Sequence, residues 1–226
     1  MKSNKGKNIK IIACIISLIS ILSVTGIFTY LTDADSTYNK FTVGQVRIEI
    51  EEPTWESATD SNNNEIPDYA ENLVPNKVIK KDPQIVNKGE NSAYVYFKVK
   101  VPVQNVITVN DDGTLKNSGI ATNTGLFTYS TNSKWKEIVS ARDTTYNSFG
   151  KIEYYTYVYY YDSPLNNKEE RTQTLFDEIK FVNLIENQLD STPYQIGLEA
   201  YAIQAENLPQ DTTIEGAYSI YLNQNQ

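Results

Sequence analysis

Between Ala93 and Val101 the chain alternates without a break. Ala93, Val95, Phe97, Val99 and Val101 are apolar, and Tyr94, Tyr96, Lys98 and Lys100 stand between them. A period of two sends successive side chains to opposite faces of a strand, whereas a helix would scatter the same residues around its axis. Such a strand buries one face in an antiparallel sheet and leaves the other half-wet. The pattern recurs where Val46, Ile48 and Ile50 alternate with Arg47 and Glu49, and where Tyr194, Ile196, Leu198, Ala200 and Ala202 alternate with Gln195, Glu199 and Tyr201. Ile152 to Tyr161 carries six tyrosines, a residue with high strand propensity. There Ile152, Tyr154, Thr156, Val158 and Tyr160 are expected to face the core. Glu153, Tyr155, Tyr157, Tyr159 and Tyr161 are expected to form a half-exposed cover. Trp55 and Trp135 stand alone and are expected at sheet ends.

Turn chemistry separates these runs. Asn110-Asp111-Asp112-Gly113 is a hairpin signal, and Asn87 to Asn91 reads as a second turn. Residues 117–133 are rich in Asn, Thr, Ser and Gly and read as a loop with one short strand, Leu126 to Tyr129. One helix is expected near the C-terminus. Thr212 and Glu215 form a capping box, and Ile214, Ala217, Tyr218 and Tyr221 fall on one helical face. A second short helical stretch is expected within Glu169 to Phe181. No repeat and no long linker divides the body, so residues 30–226 read as a single all-β domain.

The first residues have the layout of an export signal. Lys2, Lys5, Lys7 and Lys10 form a basic region without acids, and Ile11 to Val24 is strongly apolar. Residues 1–29 are therefore expected to be a helical signal peptide, with Thr29 and Tyr30 flanking the cut. Contact with a membrane is expected only through the uncleaved signal. Cys14, the one cysteine, lies inside that segment, so the mature chain cannot rely on disulfides. Removing residues 1–29 takes away four lysines and no acid, leaving 16 basic and 28 acidic residues, a net charge of −12. Nucleic acid, which needs a basic footprint, is not an expected partner. The sequence has no histidine. Ser-His-Asp, Cys-His and HExxH chemistries are thereby excluded. A hydrolase built on two carboxylates needs no histidine, but no spacing singles out such a pair, and the expectation is a protein that is not an enzyme.

One local motif suggests a ligand. Counting from Asp60, oxygen-bearing side chains fall at positions one, three, five, nine and twelve: Asp60, Asn62, Asn64, Asp68 and Glu71. With the Ile66 carbonyl at position seven, this is the ligand order of an EF-hand-type loop, and calcium is the one cofactor the sequence suggests. Glu65 stands where the sharp turn of such a loop calls for glycine, and the two asparagines lower the ligand charge. Both point to weak affinity, on the order of 10⁻⁴ to 10⁻³ M. The same residues also suit a solvated loop between strands.

Several segments together resemble the TasA/camelysin family. They are Gly26-Ile27-Phe28-Thr29-Tyr30-Leu31-Thr32-Asp33, then Asn39-Lys40-Phe41-Thr42-Val43-Gly44 with the strand ending Ile48-Glu49-Ile50. Next comes Lys81-Asp82-Pro83-Gln84-Ile85-Val86-Asn87-Lys88-Gly89 leading into Ala93-Tyr94-Val95. The last are Thr174-Leu175-Phe176-Asp177 and Ala200-Tyr201-Ala202-Ile203-Gln204-Ala205. In order and spacing they span nearly the whole chain. Thr29 departs from the alanine usual before the cut. The resemblance implies a jelly-roll-like antiparallel β-sandwich, a signal peptidase of the SipW type as processing partner, and extracellular biofilm-matrix or cell-surface location. It also implies self-assembly into homopolymeric fibres by donor-strand exchange, with Leu31 to Val46 as donor and Tyr38, Phe41 and Val43 as its anchors. A monomeric surface adhesin or ligand-binding module is the alternative. The metalloprotease activity ascribed to some relatives is not carried over, because there is no histidine.

Overall fold

A computed structural model describes residues 46–189 and 194–224. The elements in chain order are β1 (Ile48–Glu51), α1 (Pro53–Glu56), β2 (Val78–Lys80), β3 (Gln84–Asn87), β4 (Ala93–Val106), β5 (Thr122–Gly125), β6 (Phe127–Tyr129) and β7 (Trp135–Glu137). They continue with β8 (Asp143–Tyr146), β9 (Ile152–Tyr161), β10 (Glu178–Phe181), β11 (Gly197–Gln204) and α2 (Ile214–Gln224). The strands make a six-stranded sheet running β11-β4-β9-β7, with β5 beside β4 and β8 beside β9. A three-stranded sheet runs β2-β10-β6, and β1 pairs with β3. All these pairings are antiparallel. The protein is thus mostly β, in antiparallel sheets, with one short helix near its C-terminus, as the alternation and the helical face predicted.

The three sheets share one hydrophobic cluster. Ile79, Ile85, Phe127, Ile179 and Phe181 from the smaller sheets join Val95, Phe97, Val99, Tyr159 and Tyr161 from the large one. A second cluster lies on the opposite face of the large sheet, where Tyr96, Val158 and Ile203 pack with Ala217 and Tyr218 of α2. Here the structure corrects the reading of the tyrosine strand. Register pairs Phe97 with Tyr159 and Lys98 with Val158, so Tyr159 and Tyr161 face the main cluster and Val158 faces the helix. Both faces of β9 are covered, and the pattern within one strand does not say which cover is which.

Three further expectations change. Residues 169–181 form no helix: a turn at Glu169 leads into extended backbone with bends before β10. Thr172 N donates to Ile85 O (2.9 Å) and Leu175 N to Pro83 O (2.7 Å), after which β10 pairs with β2 and β6. In β10 Ile179 and Phe181 alternate with Glu178 and Lys180 and point into the core at 3 % and 4 % exposure. The cap of α2 is Thr213, not Thr212: Ala217 N donates to Thr213 O (2.9 Å) and Gly216 N to Thr213 Oγ1 (3.0 Å), while the Thr212 hydroxyl donates to Pro209 O. Trp135 stands where expected, at the end of the large sheet in its last strand β7, and is buried in the main cluster with ring centroids 5.1 Å from Phe97 and from Tyr161. The loop of residues 117–133 contains β6 where expected and also β5, whose Thr-Asn-Thr-Gly sequence carries no apolar alternation. Gly125 packs tightly there, since a Cβ at that position would meet Val101 Cγ1 at 3.1 Å.

The signal segment, the cleavage residues Thr29 and Tyr30, and the donor anchors Tyr38, Phe41 and Val43 lie outside the described residues. Among the described residues, no helix is long and apolar enough to cross a membrane.

Candidate functional site

The 60–71 loop folds around its own oxygens. Asp60 accepts from Asn64 N (3.2 Å) and Glu65 N (2.8 Å), Asn62 Oδ1 from Asn64 N (3.2 Å), and Asn64 Oδ1 from Ile66 N (2.9 Å). The side-chain amides of Asn62 and Asn64 both donate to Glu71 Oε1 at 2.7 Å. The first, third, fifth and twelfth positions of the motif therefore do converge. The ninth does not join them. Asp68 accepts from the hydroxyl (2.6 Å) and N–H (2.8 Å) of Ser61, which hold its carboxyl below the usual range. The side chain of Ile66 packs against the main cluster. Glu65 takes φ 67° and Asn63 φ 57°, so the turn that calls for glycine is made with strained non-glycine residues.

This donor set is oxygen-only and hard, which suits calcium. It holds only two converging carboxylates, and the amide groups that now satisfy Glu71 must turn away before a cation can enter. Among the described residues, no group of three or more His, Cys, Asp or Glu side chains is placed to hold a metal ion. A cation here would depend on amide and backbone oxygens.

The same loop walls a groove of about 880 Å³. Its apolar lining comes from Ile79, Phe127, Ile179, Phe181 and Leu184, and Glu65, Ile66 and Glu71 line it from the loop. Trp55 and Lys81 also contribute. Lys81 Nζ stands 4.2 Å from the Trp55 ring centroid and 2.8 Å from Glu52, so this nearly buried cation is neutralised. The groove was not legible in the sequence. Its residues come from separated segments of which only the 60–71 loop carries a motif, and that motif does not announce a groove.

Two strand edges border the main cluster. β1 pairs with β3 alone and β11 with β4 alone among the described residues. Val46, Ile48 and Ile50, and Leu198, Ala200 and Ala202, pack against that cluster while partly exposed, and β1 and β11 lie close to each other. On the opposite face of β11, burial raises the pKa of Glu199. Hydrogen bonds from Lys100 and Tyr201 and the charges of Lys98 and Lys100 outweigh burial and bring the carboxyl to about 2.

The arrangement supplies strand edges, an apolar groove and a weak oxygen cage. Comparison with protein-family models, with curated proteins and with solved structures finds no match, so the geometry carries the functional reading.

Proposed function

We propose that the chain is an exported structural protein of the extracellular matrix or cell surface. In this reading it is a jelly-roll-like β-sandwich of the TasA/camelysin type that builds fibres by donor-strand exchange. The observation that carries the reading is the pair of edges: β1 and β11 both border the main cluster, and each has a strand on one side only among the described residues. A strand edge is a row of N–H and C=O groups ready to pair with another chain. The donor is the segment from Leu31 to Val46, freed by removal of residues 1–29, with Tyr38, Phe41 and Val43 as anchors. Such a head-to-tail contact does not close and yields a filament.

The test compares protein beginning near Tyr30 with protein beginning at Gln45, by light scattering and negative-stain microscopy at matched concentration. The first is expected to form filaments and the second to stay monomeric. Identical filaments from both would refute the donor. Absence of assembly in both would favour the adhesin reading, which the groove supports because its volume lies within the roughly 300–1,000 Å³ of ligand pockets. Calcium is proposed as a stabilising ligand of the 60–71 loop. With a dissociation constant on the order of 10⁻³ M, 10 mM calcium stabilises by about 1.4 kcal/mol. The resulting rise in Tm should vanish when Asp60→Asn and Glu71→Gln are combined, and an equal rise in both proteins would exclude the loop.

A further inference from the structure

The most exposed large apolar side chain among the described residues is Phe149, 87 % exposed at the tip of the β8–β9 hairpin; Tyr146 at the end of β8 is 59 % exposed. The tip is firmly built. Asn147 N donates to Lys151 O (2.9 Å) and Gly150 N to Asn147 O (3.0 Å). Asn147 Oδ1 accepts from both Phe149 N (2.9 Å) and Lys151 N (3.1 Å). Gly150, at φ 73°, completes the turn. A flexible loop would let a phenyl ring fold back on the surface. This turn holds the ring out instead, so little conformational freedom remains to be lost when the ring is buried.

The same molecule carries the complementary shape. The groove beside the 60–71 loop is concave and lined by Phe127, Ile179, Phe181 and Leu184, with Val74 on its lining 58 % exposed. Charge complements shape: the tip bears the exposed Lys151, and three acids, Glu65, Glu71 and Glu186, line the groove. In a chain this acidic, few surfaces offer an apolar tip and a positive charge together.

We propose that the β8–β9 hairpin is a docking finger and that its receptor is the groove of a second copy of this chain, with Phe149 entering the apolar lining and Lys151 facing the acids. An apolar projection meeting a pocket elsewhere on an identical molecule joins copies without any change of fold. The contact rests on the self-association reading only in taking a second copy as partner, and it does not use the N-terminal donor segment.

Disulfide trapping tests it. In full-length chain with Cys14→Ser, one preparation carries Phe149→Cys and another Val74→Cys, and the two are mixed under mild oxidation. Random pairing would make hetero- and homodimers in equal amounts. The finger-in-groove contact predicts a clear excess of the F149C–V74C dimer, lowered by Lys151→Glu. Without cysteines, Phe149→Ser should weaken self-association about tenfold or more by sedimentation, as loss of an aromatic anchor does. A random share of heterodimer, or a predominance of F149C–F149C dimer, overturns the proposal. So does cosedimentation with phosphatidylglycerol vesicles that Phe149→Ser abolishes, which would assign the finger to lipid. In protein beginning near Tyr30, which has the donor segment freed, filaments without the cross-link sink this contact and leave the donor strand standing; the cross-link without filaments does the reverse.

Discussion

Strands β4 and β9 show one face to the main cluster and the other to α2, and the two faces are closed by different means. On the main side Val95, Phe97 and Val99 are fully buried, and Trp135 lies between Phe97 and Tyr161. On the other side one helix of 11 residues covers Tyr96, Val158 and Ile203, while Lys98, Lys100 and Glu199 along the same face stay partly exposed. The contact with the helix is made largely by tyrosine. Tyr96 and Tyr218 lie 5.1 Å apart, Tyr201 and Tyr221 5.2 Å, and the Tyr96 hydroxyl donates to Ile214 O at 2.7 Å. The face covered by sheets is closed on all sides, so its aromatic rings lie among fully buried residues. A face covered by one short helix has a wet margin, and tyrosine suits it because its ring packs while its hydroxyl finds a polar partner.

If that contrast is right, mutations on the two faces differ in size. Phe97→Ala should cost about 3–5 kcal/mol, because the surrounding strands cannot collapse into the hole. Tyr218→Ala should cost about 2 kcal/mol, since α2 can shift to fill part of the space. Urea unfolding of both variants measures the difference, and equal costs would mean that the helix is as rigidly held as the sheets.

Tyr96→Phe removes only the hydroxyl that reaches Ile214. About 1 kcal/mol is expected, with faster amide exchange in α2 and unchanged exchange in the middle of β4. Unaltered exchange in α2 would show that ring packing alone holds the helix. The corrected cap is tested on the same element. Thr213→Ala should cost about 1 kcal/mol, and Thr212→Ala less than about 0.5 kcal/mol. The reverse order would restore the Thr212 cap.

The smallest effect belongs to the wet margin. Glu199 sits at about 2 in the fold against an ordinary 4.5, so its ion pairs stabilise the protein above about pH 4.5, and this contribution is lost as pH falls toward 2. Its side chain is 38 % exposed, which leaves much of the interaction screened by water. Glu199→Gln should flatten the fall in stability between those two pH values without moving the neutral-pH plateau by much. An unchanged acid limb would assign that fall to other carboxylates, such as Glu51 and Glu137, which hydrogen bonds from Arg171 and Arg142 also hold low.

The parts legible from sequence are those whose cause is local. The alternation along Ala93–Val101 gave a strand because a backbone period of two needs no partner to be recognised. The Asn110–Gly113 turn formed as expected, with Gly113 N donating to Asn110 O at 3.0 Å, because its chemistry lies within four residues. The 60–71 loop gathered four of its motif side chains for the same reason. Other features depend on residues far apart in the chain. Thr122–Gly125 is a strand only because Val103–Val106 offers it a ladder. Residues 169–181 lost their expected helix because β3 and β2 supply partners for their backbone groups. The inward face of β9 was set by register with β4, the cap moved by one residue when the chain met Pro209, and the groove exists only where distant segments meet. The sequence by itself thus determined periodicity, turn chemistry and charge, which act over a few neighbouring residues. Tertiary structure alone decided which of two apolar faces meets which cover, because that choice depends on how much surface each possible partner buries.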